Sequence, residues 1–216
     1  QKKNYLPKIA SGEATTALAI DEGNHHNPFD IEATATLEGD KWTLNGQKVF
    51  IIDGASADFV LIVARTSGEK GESNGLSVFI ADKNSKGLEV SQISTADCRN
   101  YANLIMNNLI LDENALLGEV DIAGEVIEQV LDLGRIAMAS EMLGNTEEAF
   151  EITVSYLKER KQFGVLIGSF QALQHRAAKM FCEIELTKSA VLAAMHAADE
   201  SSNELARLSS LAKFQA

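Results

Sequence analysis

The chain has 216 residues, 45% hydrophobic and 23% charged, a composition that excludes intrinsic disorder and collagen-like structure. Its net charge of -12, from 19 basic and 31 acidic side chains, opposes contact with a phosphate backbone, so no nucleic-acid partner is expected. No apolar run approaches the roughly 20 residues of a membrane span, and the polar, lysine-bearing start does not read as a signal peptide, so a soluble protein is expected. Cys98 and Cys182 lie far apart without a zinc-type spacing, so no metal site is expected and a reducing compartment is the natural setting.

In chain order, Tyr5-Leu6-Pro7 reads as part of a connector. Short β-branched, apolar runs then recur: 33–37, 42–44, 48–52, 59–64, 76–80, 88–90 and 104–111. Glu38-Gly39-Asp40, Asn45-Gly46 and Asn74-Gly75 supply turns between them, a pattern that predicts a small antiparallel barrel or sandwich. After Gly118 the period becomes helical. Ile122, Val126, Val130, Ala137, 143–149, Thr153 and Leu157 predict one long helix, or two in line, with Gly164 as terminator. A second helix is expected from Ser169 through Leu173, Ala177, Met180, Ile184, Ala190 and Ala194 towards Asp199. Ser201-Ser202-Asn203-Glu204 matches a capping box and opens a third helix, still running at Ala216. The fold class expected is α+β, an antiparallel β-barrel or sandwich followed by part of an antiparallel helical bundle.

Charge is unevenly distributed. Residues 119–151 carry nine acids against Arg135 alone, whereas Lys158, Arg160, Lys161, Arg176 and Lys179 face only Glu159 between 158 and 179. That basic patch reads either as an anion site or as ordinary solvated helix charge. Asp132 and Arg135, at i and i+3, share one helix face as an ion pair.

The order of these motifs resembles the acyl-CoA dehydrogenase family of flavoproteins. Leu44-Asn45-Gly46-Gln47-Lys48, then Asp53-Gly54 and Ala57-Asp58, is similar to its central barrel strands. Glu159-Arg160-Lys161-Gln162-Phe163-Gly164 followed by Phe170-Gln171 and Gln174 resembles its signature between two bundle helices. The resemblance implies a connector at 1–13 from a preceding helical domain, a middle β-barrel domain at 14–118, and the start of a C-terminal helical domain at 119–216. It implies FAD as cofactor, bound by Arg160, Gln162, Phe163 and Gln171 from a neighbouring subunit and by Phe50, Ile52 and Glu22. Chemically, a guanidinium can fork onto a pyrophosphate, the two glutamines suit ribose or adenine edges, and Phe163 supplies a flat apolar contact. Asp132 and Arg135 would border the channel for substrate and flavin. The implied reaction is α,β-dehydrogenation of an acyl-CoA thioester in fatty acid metabolism, with hydride passing to the flavin and onward to an electron-transfer flavoprotein or similar acceptor. The implied assembly is a homo-oligomer, dimer or tetramer, in the cytoplasm or, in a eukaryote, the mitochondrial matrix.

Three departures matter. The family's flavin loop, threonine-glutamate-proline then glycine-serine-aspartate, is here Asp21-Glu22-Gly23-Asn24-His25-His26-Asn27-Pro28-Phe29-Asp30, longer and with Pro28-Phe29 where small residues would cradle a cofactor. His25 and His26 read as exposed loop histidines, not metal ligands. Phe50 can stack on a flavin, but Ile52 replaces a hydroxyl donor. The residue before Arg135, where a minority of the family places its catalytic glutamate, is Gly134, so no base is assigned within 1–216. These departures define a second reading: a non-catalytic subunit of a hetero-oligomer that scaffolds a related flavoprotein subunit and completes its FAD site.

Overall fold

The alternating and continuous apolar runs of the first half assemble into one sheet. The structure, a computed structural model, describes residues 2–216; Gln1, first residue of the expected connector, lies outside the described residues. The chain divides into two units, Gln1–Ile127 and Glu128–Ala216. In the first, helix α1 (Lys2–Ala10) precedes strands β1 (Thr16–Ala19), β2 (Thr34–Glu38), β3 (Lys41–Ile51), β4 (Phe59–Arg65), β5 (Leu76–Asp82), β6 (Leu88–Ile93), β7 (Tyr101–Asp112) and β8 (Leu116–Leu117). The eight strands form one sheet ordered β6-β7-β3-β2-β4-β5-β8, with β1 beside β4. Most pairs are antiparallel as expected, but β1 runs parallel to β4, and Thr34 of β2 bridges Arg65 of β4 in parallel. The fold class is α+β.

Several expectations change. The connector residues Tyr5-Leu6-Pro7 are helical, and the Tyr5 ring packs edge-on against Phe59 at a centroid distance of 5.0 Å. Asn45-Gly46 makes no turn. It is a bulge inside one continuous strand, where the register against β7 shifts between Leu44 and Gly46. A close approach requires the glycine: φ is +134°, and a Cβ there would sit 2.7 Å from the Cα of Ala33. The turn at Glu38–Lys41 forms as expected, with Gly39 at φ +64°.

Two buried cations fasten the loops to this sheet. Lys48 is fully buried on β3, and its Nζ donates to the Ile20 carbonyl at 2.9 Å and to Glu22 Oε1 at 2.7 Å. Glu22 Oε2 accepts from the Glu32 amide at 2.7 Å and Oε1 from the Ala33 amide at 3.1 Å, so the ion pair closes the base of the 22–33 loop. Arg65 donates to the carbonyls of Phe29, Ile31, Ser67, Glu72 and Asn74, gathering two loops around one guanidinium.

Helix α2 (Ala123–Glu159) is a single 37-residue helix that crosses the division between the units. The second unit adds a hairpin of β9 (Lys161–Gln162) and β10 (Val165–Leu166), then α3 (Gln171–Asp199) and α4 (Leu205–Gln215). Its core joins Ile136, Ala139 and Leu143 to Ile184, Val191, Ala194 and Ala212. The expected apolar face of α2 is only partly the buried one: Ile122 precedes the helix, and Val126 and Val130 are exposed while Ile127 and Ile136 are buried, so the helix is apolar on more than one side. Likewise Met180 of α3 is exposed. Gly164 terminates no helix, because α2 already ends at Glu159 and Gly164 lies in the hairpin turn. The capping box does not form. Glu204 is itself the N-cap of α4, without a side-chain cap bond, and its carboxylate pairs with Arg207.

Gly46→Ala should cost more than about 2 kcal/mol in urea unfolding because neither strand can retreat, whereas Gly144→Ala, with nothing within 4 Å of the added methyl, should gain about 1 kcal/mol from helix propensity. Burial lowers the pKa of Lys48 from 10.5 to about 8, with Glu22 and then Asp21 opposing the shift. Between these values the unfolded chain holds more protons than the folded one, so this group's contribution to stability rises with pH, by up to about 1.4 kcal/mol per unit. The urea midpoint of the wild type relative to Lys48→Met should therefore improve steadily from about pH 8 to pH 10; a flat difference would contradict the assignment.

Candidate functional site

The sheet unit carries an open groove of about 640 Å³ lined by Asp21, Gly23, Asn24, His26, Val49, Phe50, Ile52, Ile93, Tyr101 and Asn103. Its aromatic wall arises from a local irregularity in β3. The register shifts a second time between Lys48 and Ile51, and within that shift Phe50 adopts φ +55° and is turned outward, 59% exposed. The Phe50 amide donates to Asn103 Oδ1 at 3.1 Å, and its ring lies 5.4 Å from that of Tyr101. Ile52 follows on the same wall, 57% exposed and aliphatic.

Hydrogen bonds fasten the 21–30 loop at several points. The Val49 amide donates to the Asp21 carbonyl at 2.8 Å, pinning the loop to β3. The Glu22 carboxylate, a sequence candidate for cofactor contact, is engaged by Lys48 and the two amides already described. His26 Nδ1 lies 2.9 and 3.0 Å from the two Asp21 carboxylate oxygens. That pairing had no signal in the sequence beyond the short separation of the two residues. Among the described residues no group of three or more His, Cys, Asp or Glu side chains could hold a metal ion.

The helical unit places the other candidates in two clusters. At the first, Gln162 and Val165 pair across a two-residue loop, and both loop residues have positive φ, Phe163 at 53° and Gly164 at 81°. The strands thus reverse through a primed-type turn. Phe163 is 92% exposed, with its ring 6.4 Å from Phe170. The Ile167 amide donates to the Arg160 carbonyl at 2.9 Å, closing the hairpin base. The Gln162 amide oxygen, turned towards Arg160, accepts from Nη2 at 2.7 Å and Nε at 3.2 Å. Gln171 begins α3 and is exposed. Arg160, Gln162, Phe163 and Gln171 therefore share one basic, exposed corner of this unit.

At the second cluster, Arg135 Nη1 donates to Asp132 Oδ1, and the buried Ser209 hydroxyl of α4 donates to the same oxygen at 2.7 Å. Asp132 is buried, so its carboxylate ties α4 to α2 while orienting Arg135, which stays partly exposed. Ser209 was invisible to sequence reasoning because it lies 77 residues from its partner in an unremarkable Leu-Ser-Ser-Leu run. No described helix is long and apolar enough to cross a membrane.

Comparison with known proteins agrees with this layout. Residues 18–112 match the family model described as acyl-CoA dehydrogenase, middle domain, and residues 124–216 that of acyl-CoA dehydrogenase, C-terminal domain. The short-chain specific acyl-CoA dehydrogenase of Clostridium acetobutylicum is 34% identical over 200 residues, covering 91% of this chain and 52% of that protein. The caffeyl-CoA reductase-Etf complex subunit CarC of Acetobacterium woodii is 33% identical over 221 residues, covering 100% of this chain and 58% of that protein. The structure of butyryl-CoA dehydrogenase from Megasphaera elsdenii superposes with a TM-score of 0.90 at 27% identity, over 99% of this chain and 57% of that one. The chain spans about half the length of the curated relatives it matches. With both domain models matched in order along one chain, the protein belongs to the acyl-CoA dehydrogenase family.

Proposed function

We propose that the chain supplies the middle and opening C-terminal domains, 14–118 and 119–216, of an FAD-dependent acyl-CoA dehydrogenase that desaturates an acyl-CoA thioester between its α and β carbons. The observation that carries this reading is the groove walled by Phe50 and Tyr101 in a sheet unit of this family. A flat conjugated ring fits against such a wall, and Phe50 is already turned outward to meet it. When bound, FAD supplies the hydride acceptor. Ile52 contributes apolar contact only, while Glu22 acts indirectly by fixing the loop through Lys48.

The remaining roles fall to the helical unit. Arg160 offers its guanidinium, oriented by Gln162, to a pyrophosphate held by a neighbouring subunit; Gln162 and Gln171 suit ribose or adenine edges, and Phe163 gives a flat contact. Arg135, positioned by Asp132, faces the acyl-CoA channel in this reading. The name of the Acetobacterium woodii relative, a subunit of an Etf complex, supports an electron-transfer flavoprotein as acceptor. A second reading, a non-catalytic subunit completing a related subunit's FAD site, is favoured by two observations: the Ile52 side chain brings no donor to the groove, and the residue immediately before Arg135 is Gly134, not a glutamate.

The visible spectrum of the full-length protein separates the two. Yellow protein that bleaches with a mixture of saturated acyl-CoA thioesters supports the dehydrogenase, whereas colourless protein supports the scaffold. Arg160→Ala should strip flavin from the assembled protein while leaving its melting temperature within about 2 °C, since the side chain is exposed; full flavin retention would remove Arg160 from the site.

A further inference from the structure

The groove beside Phe50 has an unequal lining. One side is aromatic and aliphatic, from Phe50, Tyr101, Val49, Ile52 and Ile93; the margin is polar, from Asp21, Asn24, His26 and Asn103. Asn103 spends its side-chain oxygen on the Phe50 amide, and both Asp21 oxygens face His26 Nδ1. A carboxylate only accepts, so Nδ1 carries the proton and the imidazole is held in one orientation. Its Nε2 takes part in none of the hydrogen bonds among the described residues that involve this ring. The support beneath it is firm. Asp21 is anchored by the Val49 amide, and the next residue, Glu22, by Lys48 and two further amides.

A conjugated ring system seated on Phe50 has a polar edge of carbonyl and N–H groups. Once water is displaced, that edge loses binding energy unless the protein offers partners. Ile52 cannot be one. Resting on the flavin reading of this groove, we propose that His26 is a flavin-contacting residue, whose Nε2 hydrogen-bonds the polar edge of the ring and whose orientation Asp21 sets. In the tautomer that directs its Nδ1 proton at Asp21, Nε2 accepts from a ring N–H, so the loop contributes a side-chain contact to that edge.

The test is titration of FAD into flavin-free full-length protein, followed by flavin fluorescence and by the visible band of the bound cofactor. His26→Ala should raise the dissociation constant about tenfold and shift the band, and His26→Gln, which can still accept, should recover most of the loss. His25→Ala, a neighbouring exposed histidine outside the groove, should change neither. Melting temperatures of the flavin-free variants should coincide. A change under twofold for His26→Ala, with Phe50→Ala weakening binding tenfold, overturns the role of His26 and leaves the groove reading standing. Loss of binding that merely tracks a fall in melting temperature also overturns it. Indifference of both variants, or no FAD uptake by the wild type, overturns the groove reading and the proposal together.

Discussion

The ammonium of Lys48 is the point on which the sheet unit turns. A charge removed from water on a central strand survives only if it is fully partnered, and here the partners come from a separate segment, the Ile20 carbonyl and the Glu22 carboxylate. Glu22 in turn receives the amides of Glu32 and Ala33, so one buried ion pair defines both ends of a loop and its distance from β3. The placement of Asp21 and His26 follows from that closure. So does the tight meeting of Ala33 with Gly46, because Ala33 is held there by its amide. Removing one member of such a pair leaves an uncompensated charge, typically about 3–5 kcal/mol of damage.

Arg65 works by a different economy. Its guanidinium has no carboxylate among its hydrogen-bond partners and satisfies itself with backbone carbonyls from residues 29–31 and 67–74. Irregular backbone needs partners for its carbonyls, and a planar cation with five N–H groups can serve several at once. The two cations thus replace regular secondary structure where the chain leaves the sheet. The Phe50 irregularity is of the same kind: a break in the β3 ladder is made tolerable by Asn103, which takes up the amide that the ladder abandons.

How far the sequence revealed this depends on range. Strands β4 and β5 were legible because their apolar runs are continuous, and the Gly39 turn because both flanking strands alternate around it. Asn45-Gly46 misled because an Asn-Gly pair satisfies a turn and a bulge equally well, and only the close approach of Ala33 decides between them. The apparent capping box at 201–204 failed for a related reason: Ser201 adopts φ +50°, and the Ser202 hydroxyl instead accepts from the Glu204 amide at 3.2 Å. Candidate site residues could be named from motif order. Their partners could not, since Asn103 reaches Phe50 and Ser209 reaches Asp132 only through tertiary structure.

The hairpin after α2 has an evolutionary consequence. An aromatic residue in the left-handed region pays roughly 1 kcal/mol or more, and Phe163 pays it while leaving nine-tenths of its surface bare. Yet the bonds that shape the tip are local, from Arg160 to Tyr156 and from Ile167 to Arg160. Mutational drift at Phe163 is therefore largely uncoupled from the helical core. What this tip touches is thus set separately from the packing that folds the helical unit.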